Sequence, residues 1–490
     1  MLEVIVVVLG IILVGVLLVK KVNASVALLL VGLVFMMSSA LLGHAGSASL
    51  EPAETGNSFL DQFQYSASVF AGRLTSSGLV ILVLFGFSAY MTKIGATDVS
   101  VELLTKPLLK LGPRGRYLLI PLTFWVGNLM SLVVPSASSL AVLLMATLFP
   151  TMVAAGVSRM AAAGVIATTA TIMPTPLGAD NVVAAEALGV DLNTYTWAMH
   201  ARVSIPTLVV MGVVHYFWQR HMDRRDERSR LGAVEAAVGA KAGGRSVGAL
   251  GSGAVGVSAD AADAAGSASR RRAPKAYCVF PLLPLVLVLV PWLLENLGGP
   301  KINLSLVPVV LISLVVAVVT ELLVGLARRR SPIAAANDVT AFFKGMGDGM
   351  TTVVGLLIAA AILVEGITKL GVIDTLVAWA KDAPGGSWIV IGCFVIMMLI
   401  LTLLTGGVAP FYSFVDVVPS VASGLAINGA WLTLPLQFVG NLMRACSPVA
   451  AVVLIVSGAL RTTPTALIKR TAVPMCVGLV MSLALTWLVV

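Results

Sequence analysis

Thr92-Lys93-Ile94-Gly95-Ala96-Thr97-Asp98 closes one apolar run of this chain, and Thr368-Lys369-Leu370-Gly371-Val372-Ile373-Asp374 closes another 276 residues later. Threonine, lysine, glycine and aspartate recur at the same spacing. The segments downstream of the two heptapeptides also match in order. The next run of the first half is broken by Val134-Pro135-Ser136-Ala137-Ser138-Ser139, and its counterpart by Ala409-Pro410-Phe411-Tyr412-Ser413. The run after that breaks at Met173-Pro174-Thr175-Pro176 in one half and at Cys446-Ser447-Pro448 in the other. Three matches in one order, at nearly one spacing, mark an internal duplication.

Composition identifies the solvent. Of 490 residues, 58% are hydrophobic and 11% charged, where a soluble domain carries about 25% charge. A bilayer needs such an excess, at roughly 20 apolar residues per helical span. Apolar runs fall at about 2–19, 26–43, 76–94, 117–150, 160–190 and 198–218, then at about 277–297, 303–327, 350–370, 387–424, 434–460 and 472–490. Runs this continuous exclude a β-barrel, whose strands alternate. The composition also excludes a soluble enzyme, a disulfide scaffold and a disordered chain. Cys278, Cys393, Cys446 and Cys476 form no CxxC pair, so neither a metal framework nor a disulfide framework is expected. No nucleotide-binding loop, GxSxG or HExxH appears, so ATP-driven pumping and enzyme chemistry are not expected, and no cofactor is implied. The net charge of +9 lies in clusters between apolar runs and does not point to nucleic acid.

Those clusters set an expected topology through the positive-inside rule. Lys20 and Lys21 place the first loop in the cytoplasm; the loop from His44 to Tyr65, with Glu51, Glu54 and Asp61, lies outside; Lys93, Lys106, Lys110, Arg114 and Arg116 return inside. The 117–150 run is too long for one span, polar at its centre and basic beyond both ends. It reads as a re-entrant hairpin entering from the cytoplasm. Residues 1–218 then form a first repeat of five crossings, with a broken span at about 160–190. Residues 219–276, basic at both ends and Ala/Gly-rich between, read as a disordered cytoplasmic linker. Residues 277–490 form a second repeat with a hairpin at about 387–424 and a broken span at about 434–460. Five crossings are odd, so the repeats have opposite orientation. The expected fold is an all-α integral membrane protein: two inverted-topology repeats, about ten transmembrane spans plus two re-entrant hairpins, both termini on the outer side. The first run has no basic segment before it and reads as a retained span.

Non-helical backbone at membrane depth must be buried in protein or line a cavity. The four breaks are therefore the candidate site. Hairpin one offers Ser136, Ser138 and Ser139. The first broken span offers Thr175, Asp180 and Asn181. Hairpin two offers Thr405, Gly406, Gly407 and Ser413, beside Tyr412 and Asp416. The second broken span offers Asn441, Arg444 and Ser447. Arg444 is the most informative, because an arginine in an apolar run needs an anionic partner and grips a carboxylate through two parallel hydrogen bonds. A structural pair with Asp416 or Asp180 is its competing role. Asn128, Ser138 and Asn441 mark a candidate cation site. Glu186 and Glu365 read as proton carriers or interface residues, and Arg73, Arg202 and His200 as interfacial groups near the outer ends of spans.

Apart from the linker, the chain resembles the DcuC family of anaerobic C4-dicarboxylate carriers. Gly127-Asn128-Leu129-Met130 leading into Val134–Ser139, Pro174-Thr175-Pro176-Leu177-Gly178-Ala179-Asp180-Asn181, and Gly440-Asn441-Leu442-Met443-Arg444 carry the resemblance. It implies exchange or ion-coupled transport of succinate, fumarate, malate or aspartate across the bacterial inner membrane. It also implies a homodimer in which a hairpin-bearing domain moves as an elevator against fixed scaffold spans. The wider superfamily places Ser-Asn-Thr at its hairpin tips, whereas this chain has Pro-Ser-Ala-Ser-Ser and Thr-Gly-Gly; coupling to H+, to Na+ or to neither stays open. The alternatives are a carrier of another organic anion or amino acid, or a cation/proton antiporter with Asp180 as principal ligand. A membrane enzyme or respiratory subunit would need clustered His, Asp or Cys, and His44, His200, His215 and His221 stand apart.

Overall fold

The computed structural model describes residues 2–20, 22–42, 55–106, 117–134, 136–241, 273–300, 304–327 and 331–490. The hairpin-tip residue Pro135 and the topology-setting charges Lys21, Glu51, Glu54, Lys110, Arg114 and Arg116 lie outside the described residues. Within them the chain is helical, with no strand.

The first half runs α1 (Leu2–Val19), α2 (Ala24–Leu41), α3 (Ser58–Arg73), α4 (Leu79–Lys93), α5 (Ala96–Thr105), α6 (Leu119–Met130), α7 (Ala137–Ala154), α8 (Arg159–Ile166), α9 (Ala179–Leu188) and α10 (Ala201–Lys241). The second runs α11 (Leu283–Asn296), α12 (Leu306–Ala327), α13 (Pro332–Asn337), α14 (Thr340–Gly349), α15 (Gly355–Lys369), α16 (Val372–Asp382), α17 (Gly386–Thr405), α18 (Ala409–Phe414), α19 (Val418–Leu425), α20 (Ala430–Met443), α21 (Ala451–Ala459) and α22 (Pro464–Val489).

The duplication is visible in backbone detail. A π-turn at Leu74–Gly78 joins α3 to α4, and another at Met350–Val354 joins α14 to α15, again 276 residues apart. After α4 the chain reverses through Gly95 at φ 76°, and after α15 through Gly371 at φ 68°. A left-handed residue ends a helix sharply, and glycine takes that conformation without a Cβ penalty. This is why the matching heptapeptides keep their glycine.

The two halves are also inverted relative to each other. Their last helices, α10 and α22, pack antiparallel: Gly478 faces Met211, while Gln219 Nε2 donates to the Arg470 carbonyl at 2.9 Å. Helix α2, by contrast, runs parallel to α15, with Gly32 against Leu363 and Gly366 against Phe35. These directions are the ones an inverted duplication requires.

The four helix breaks fall where the prolines and glycines place them. Helices α6 and α7 are parted at 131–136, α8 and α9 at 167–178, α17 and α18 at 406–408, and α20 and α21 at 444–450. Among the described residues ten helices are long and apolar enough to cross a membrane. Their membership differs from the expected ten: α7 and α17, expected to be hairpin arms, are among them, while α1 and the broken α8–α9 stand outside. Helix length alone does not separate a hairpin arm from a crossing. Large apolar side chains such as Leu9, Phe217 and Val480 are more than 60% exposed, a surface that lipid covers and water does not favour.

Helix extends into the stretch whose composition reads as linker. Helix α10 continues unbroken past Gln219 to Lys241. Its first added turns are anchored by the buried Arg470, which reaches Asp223 at 2.6 Å and Asp226 at 2.5 Å. Ser158 Oγ also donates to Asp223, at 2.7 Å. Ion pairing thus orders a stretch whose charge alone reads as loop. At the other end, Lys275 already opens a 3-10 turn. Residues 242–272, including Arg270, Arg271 and Arg272, lie outside the described residues.

Glycine lets α2 and α15 cross closely. A Cβ on Gly32 would lie 2.7 Å from the backbone nitrogen of Leu363. Gly32→Val should therefore force α2 and α15 apart and cost about 1–3 kcal/mol, the range for overpacking. Gly15→Val, where a Cβ meets nothing within 4 Å, should be neutral. Thermal unfolding of the purified protein checks this, and equal midpoints for the two variants would refute it.

Candidate functional site

All four breaks meet around one cavity of about 580 Å³. Ser136 and Ser138 come to it from hairpin one, Thr175 and Asp180 from the first broken span, Gly406 and Gly407 from hairpin two, and Asn441 and Arg444 from the second broken span. Those eight expected residues share its wall. Ser139, Asn181, Thr405, Ser413 and Ser447 do not.

The five that stand back do local work. Ser139 donates its amide N–H to Ser136 Oγ at 3.3 Å, which caps α7. Asn181 Nδ2 donates to the Thr175 carbonyl at 2.7 Å. Thr405 and Ser413 donate to the carbonyls of Leu401 and Ala409 in their own helices. Ser447 Oγ donates to the Leu403 carbonyl at 2.7 Å, tying the second break to hairpin two. The candidate cation trio does not gather either. Ser138 and Asn441 face the cavity, but Asn128 Oδ1 accepts from both the amide and the hydroxyl of Thr171, each at 3.2 Å. Asn128 thereby satisfies broken backbone. Among the described residues no group of three His, Cys, Asp or Glu is placed to hold a metal ion.

Helix starts dominate the wall. Gly178 precedes α9 and Ala450 precedes α21, and neither has a side-chain cap. Unpaired N–H groups at a helix start carry roughly half a positive charge and favour an anion. Gly406, at φ 75°, brings hairpin two against the second break; a Cβ there would lie 2.6 Å from the Ala450 backbone. Only glycine allows that approach.

Arg444 supplies the formal positive charge. Its guanidinium donates to the carbonyl of Ala170. Ala170 is itself left-handed, at φ 54°, which costs a non-glycine residue about 1–2 kcal/mol. The first break is thus bent to aim a carbonyl at the arginine of the second. Asp416 is not the partner of Arg444. It pairs with Arg73 at 2.5 Å, and Arg73 also reaches Glu186 at 3.2 Å. Glu186 accepts from the Ser77 amide at 3.1 Å, inside the first π-turn. Arg73 is therefore the centre of an ion cluster joining α3, α9 and hairpin two, where its position suggested an interfacial residue. Glu365 accepts from Tyr65 Oη at 2.7 Å, away from the cavity.

Asp180 Oδ2 accepts from Asn441 Nδ2 at 2.7 Å and from Gln437 Nε2 at 2.9 Å. Gln437 Nε2 also donates to Asn181 Oδ1 at 2.6 Å, and Gln437 Oε1 accepts from Tyr195 Oη. This amide network joins the two broken spans. Gln437 escaped the sequence reading, though it stands four residues before Asn441 and seven before Arg444, on one helical face. His200 and Tyr412 also line the cavity. His200, read from sequence as interfacial, is 1% exposed. Nothing in its flanking sequence signals this, because the π-turn Thr194–His200 rotates it inward.

A cavity among four helix breaks of an inverted duplication is the arrangement in which secondary transporters place their substrate. The chain belongs to the DcuC family, C4-dicarboxylate anaerobic carrier, whose family model it matches over residues 2–490. It is 33% identical over 473 residues to "Anaerobic C4-dicarboxylate transporter DcuC" of Escherichia coli K12, covering 96% of this chain and 93% of that one. The relative of the same name from Shigella flexneri matches with the same identity and coverage. Among solved structures, the Alcanivorax borkumensis YdaH transporter aligns with a TM-score of 0.57 at 16% identity, over 94% of this chain and 97% of that chain. Neisseria gonorrhoeae MtrF aligns with a TM-score of 0.51 at 13% identity, over 95% and 94%. These two likenesses concern the fold.

Asp180→Ala would leave the Asn441 amide without its acceptor in a buried network, at a cost of about 1–3 kcal/mol. Asp180→Asn, which keeps an oxygen at that position, should lose less. Unfolding midpoints of the two variants test the ranking, and equal losses would contradict it.

Proposed function

We propose that this chain carries C4-dicarboxylates such as succinate, fumarate, malate and aspartate across the bacterial inner membrane, by exchange or coupled to H+ or Na+. The observation that carries the reading is Arg444 on the wall of a cavity where the uncapped starts of α9 and α21 converge. A dianion in a place with little water needs fixed positive ends already in position. Arg444 and the α7 hydroxyls Ser136 and Ser138 are the residues we assign to the carboxylates. The family membership and the 33%-identical relatives, themselves named C4-dicarboxylate transporters, support the substrate class.

Charge counting favours coupling or exchange over free diffusion of the dianion. The cavity's formal charges, Arg444 and Asp180, cancel. A bound dianion leaves two negative charges, which co-moving cations or a returning dianion would balance. An elevator, with both hairpins and broken spans moving against the glycine-packed α2–α15 scaffold, is the motion the family resemblance supports. A homodimer is the assembly the family resemblance supports. Trp388, Trp431 and Trp487, at the start of α17, the start of α20 and the end of α22, cluster with ring centroids 5.4 to 5.7 Å apart. Tryptophan favours the membrane interface, which supports one common interface level for these three ends. The antiporter alternative, with Asp180 as a cation ligand, is disfavoured because two amide donors already occupy Asp180 Oδ2.

Counterflow of labelled succinate into liposomes holding the purified protein tests the proposal, with and without sodium. Arg444→Ala should abolish it. Arg444→Lys keeps the charge but not the two-pronged grip, and should lower uptake by about tenfold or more. Absence of counterflow with any C4 acid, in folded wild-type protein, would overturn the substrate assignment. Wild-type uptake in Arg444→Ala would remove the arginine from the site.

A further inference from the structure

His200 is a buried titratable group that the substrate reading leaves without a task. It lines the cavity, yet its Nδ1 is buried and has no hydrogen-bond partner among the described residues. A buried polar atom left unpaired is rare and calls for a reason. The ring is held in place rather than loose: it stands edge-on to Phe438, centroids 5.0 Å apart, and 6.2 Å from the Tyr195 ring.

The surroundings single this residue out. Asp180 lies near it from α9, Tyr195 from its own turn and Phe438 from α20; Arg444 and Tyr412 share the cavity. Asp180 Oδ2 is occupied by two amide N–H donors, an arrangement suited to the ionised carboxylate. Arg444 is a permanent cation. Tyr195 Oη donates to Gln437. That leaves His200 as the cavity side chain, among the described residues, whose ring can take a proton when a dianion is bound beside it. Among the described residues the other fully buried histidine is His215; its Nδ1 is likewise unpartnered, but its place differs. It lies off the cavity, with Nε2 and Thr168 Oγ1 3.0 Å apart and its ring 5.0 Å from Phe124.

We propose that His200 is the proton-binding group of the carrier. Its neutral imidazole takes one proton from water on the loading side as the dianion enters, and both ring nitrogens then carry hydrogen. The proton leaves to water on the other side as the dianion departs, and no other bond is made or broken. Protonation halves the uncompensated charge of the loaded cavity, from two negative charges to one, beside the starts of α9 and α21. This inference rests on the dicarboxylate reading.

Calorimetry of succinate binding to the purified full chain tests it, at about pH 6.5 in two buffers of different ionisation enthalpy, which together give the number of protons taken up. Wild-type protein should take up about one proton per succinate. His200→Gln should bind succinate more weakly with proton uptake near zero, while His215→Gln should keep the wild-type proton number. Wild-type binding with no proton uptake would overturn the inference alone, whether or not any variant folds. His200→Gln with wild-type proton uptake would also overturn it. Folded wild-type protein that gives no succinate binding would remove the dicarboxylate reading instead, and with it this inference.

Discussion

Broken helices inside a membrane-spanning body need partners for every freed N–H and C=O, because no lipid can supply them. Most of this structure answers that demand. Asn128 accepts from the amide of Thr171, Asn181 donates to the carbonyl of Thr175, Ser447 to that of Leu403, and Arg444 to that of Ala170. Each bond crosses from one broken element to another or bridges the break itself. The breaks consequently stabilise one another. The cavity exists because these segments cannot be helical and cannot face lipid, so they face each other.

The inverted duplication explains why one cavity serves both halves. Two copies in opposite orientation bring their hairpins and broken spans to the same level, so helix starts approach from both sides. The α9 and α21 starts, one from each half, are both uncapped. The copies have diverged where chemistry requires a difference. The first half contributes Asp180 and the hydroxyls Ser136 and Ser138; the second contributes Arg444, Asn441 and the bare backbone of Gly406 and Gly407. The amide network through Gln437 locks the acid of one half to the amides of the other, and leaves the guanidinium turned toward the cavity wall.

The duplication was legible because it survives as local chemistry: a glycine that must be left-handed, a proline that must end a helix, a hydroxyl that caps the next one. Arg444 was legible for a similar reason, since an arginine in an apolar run has few explanations. Gln437 was within reach of a helical-face argument from Asn441 and Arg444. His200 was not, because its inward rotation comes from a π-turn and not from periodicity. The pairing of Asp416 was not legible either. On paper Asp416 competes with Asp180 for Arg444, and only the fold brings Arg73, more than 300 residues away in sequence, within 2.5 Å.

The amino-acid sequence by itself determined the membrane setting, the repeated order of elements, the four breaks and the anion-seeking arginine. All of these follow from composition, spacing and the intrinsic conformational limits of glycine and proline. Only the tertiary structure decided which polar residues line the cavity, which ones repair broken backbone, and how far α10 extends through the ion pairs of Arg470 with Asp223 and Asp226. A hydroxyl or amide in an apolar run has the same chemistry in either role. Its assignment depends on which partner atom lies within about 3 Å, and that distance is set by segments remote in sequence.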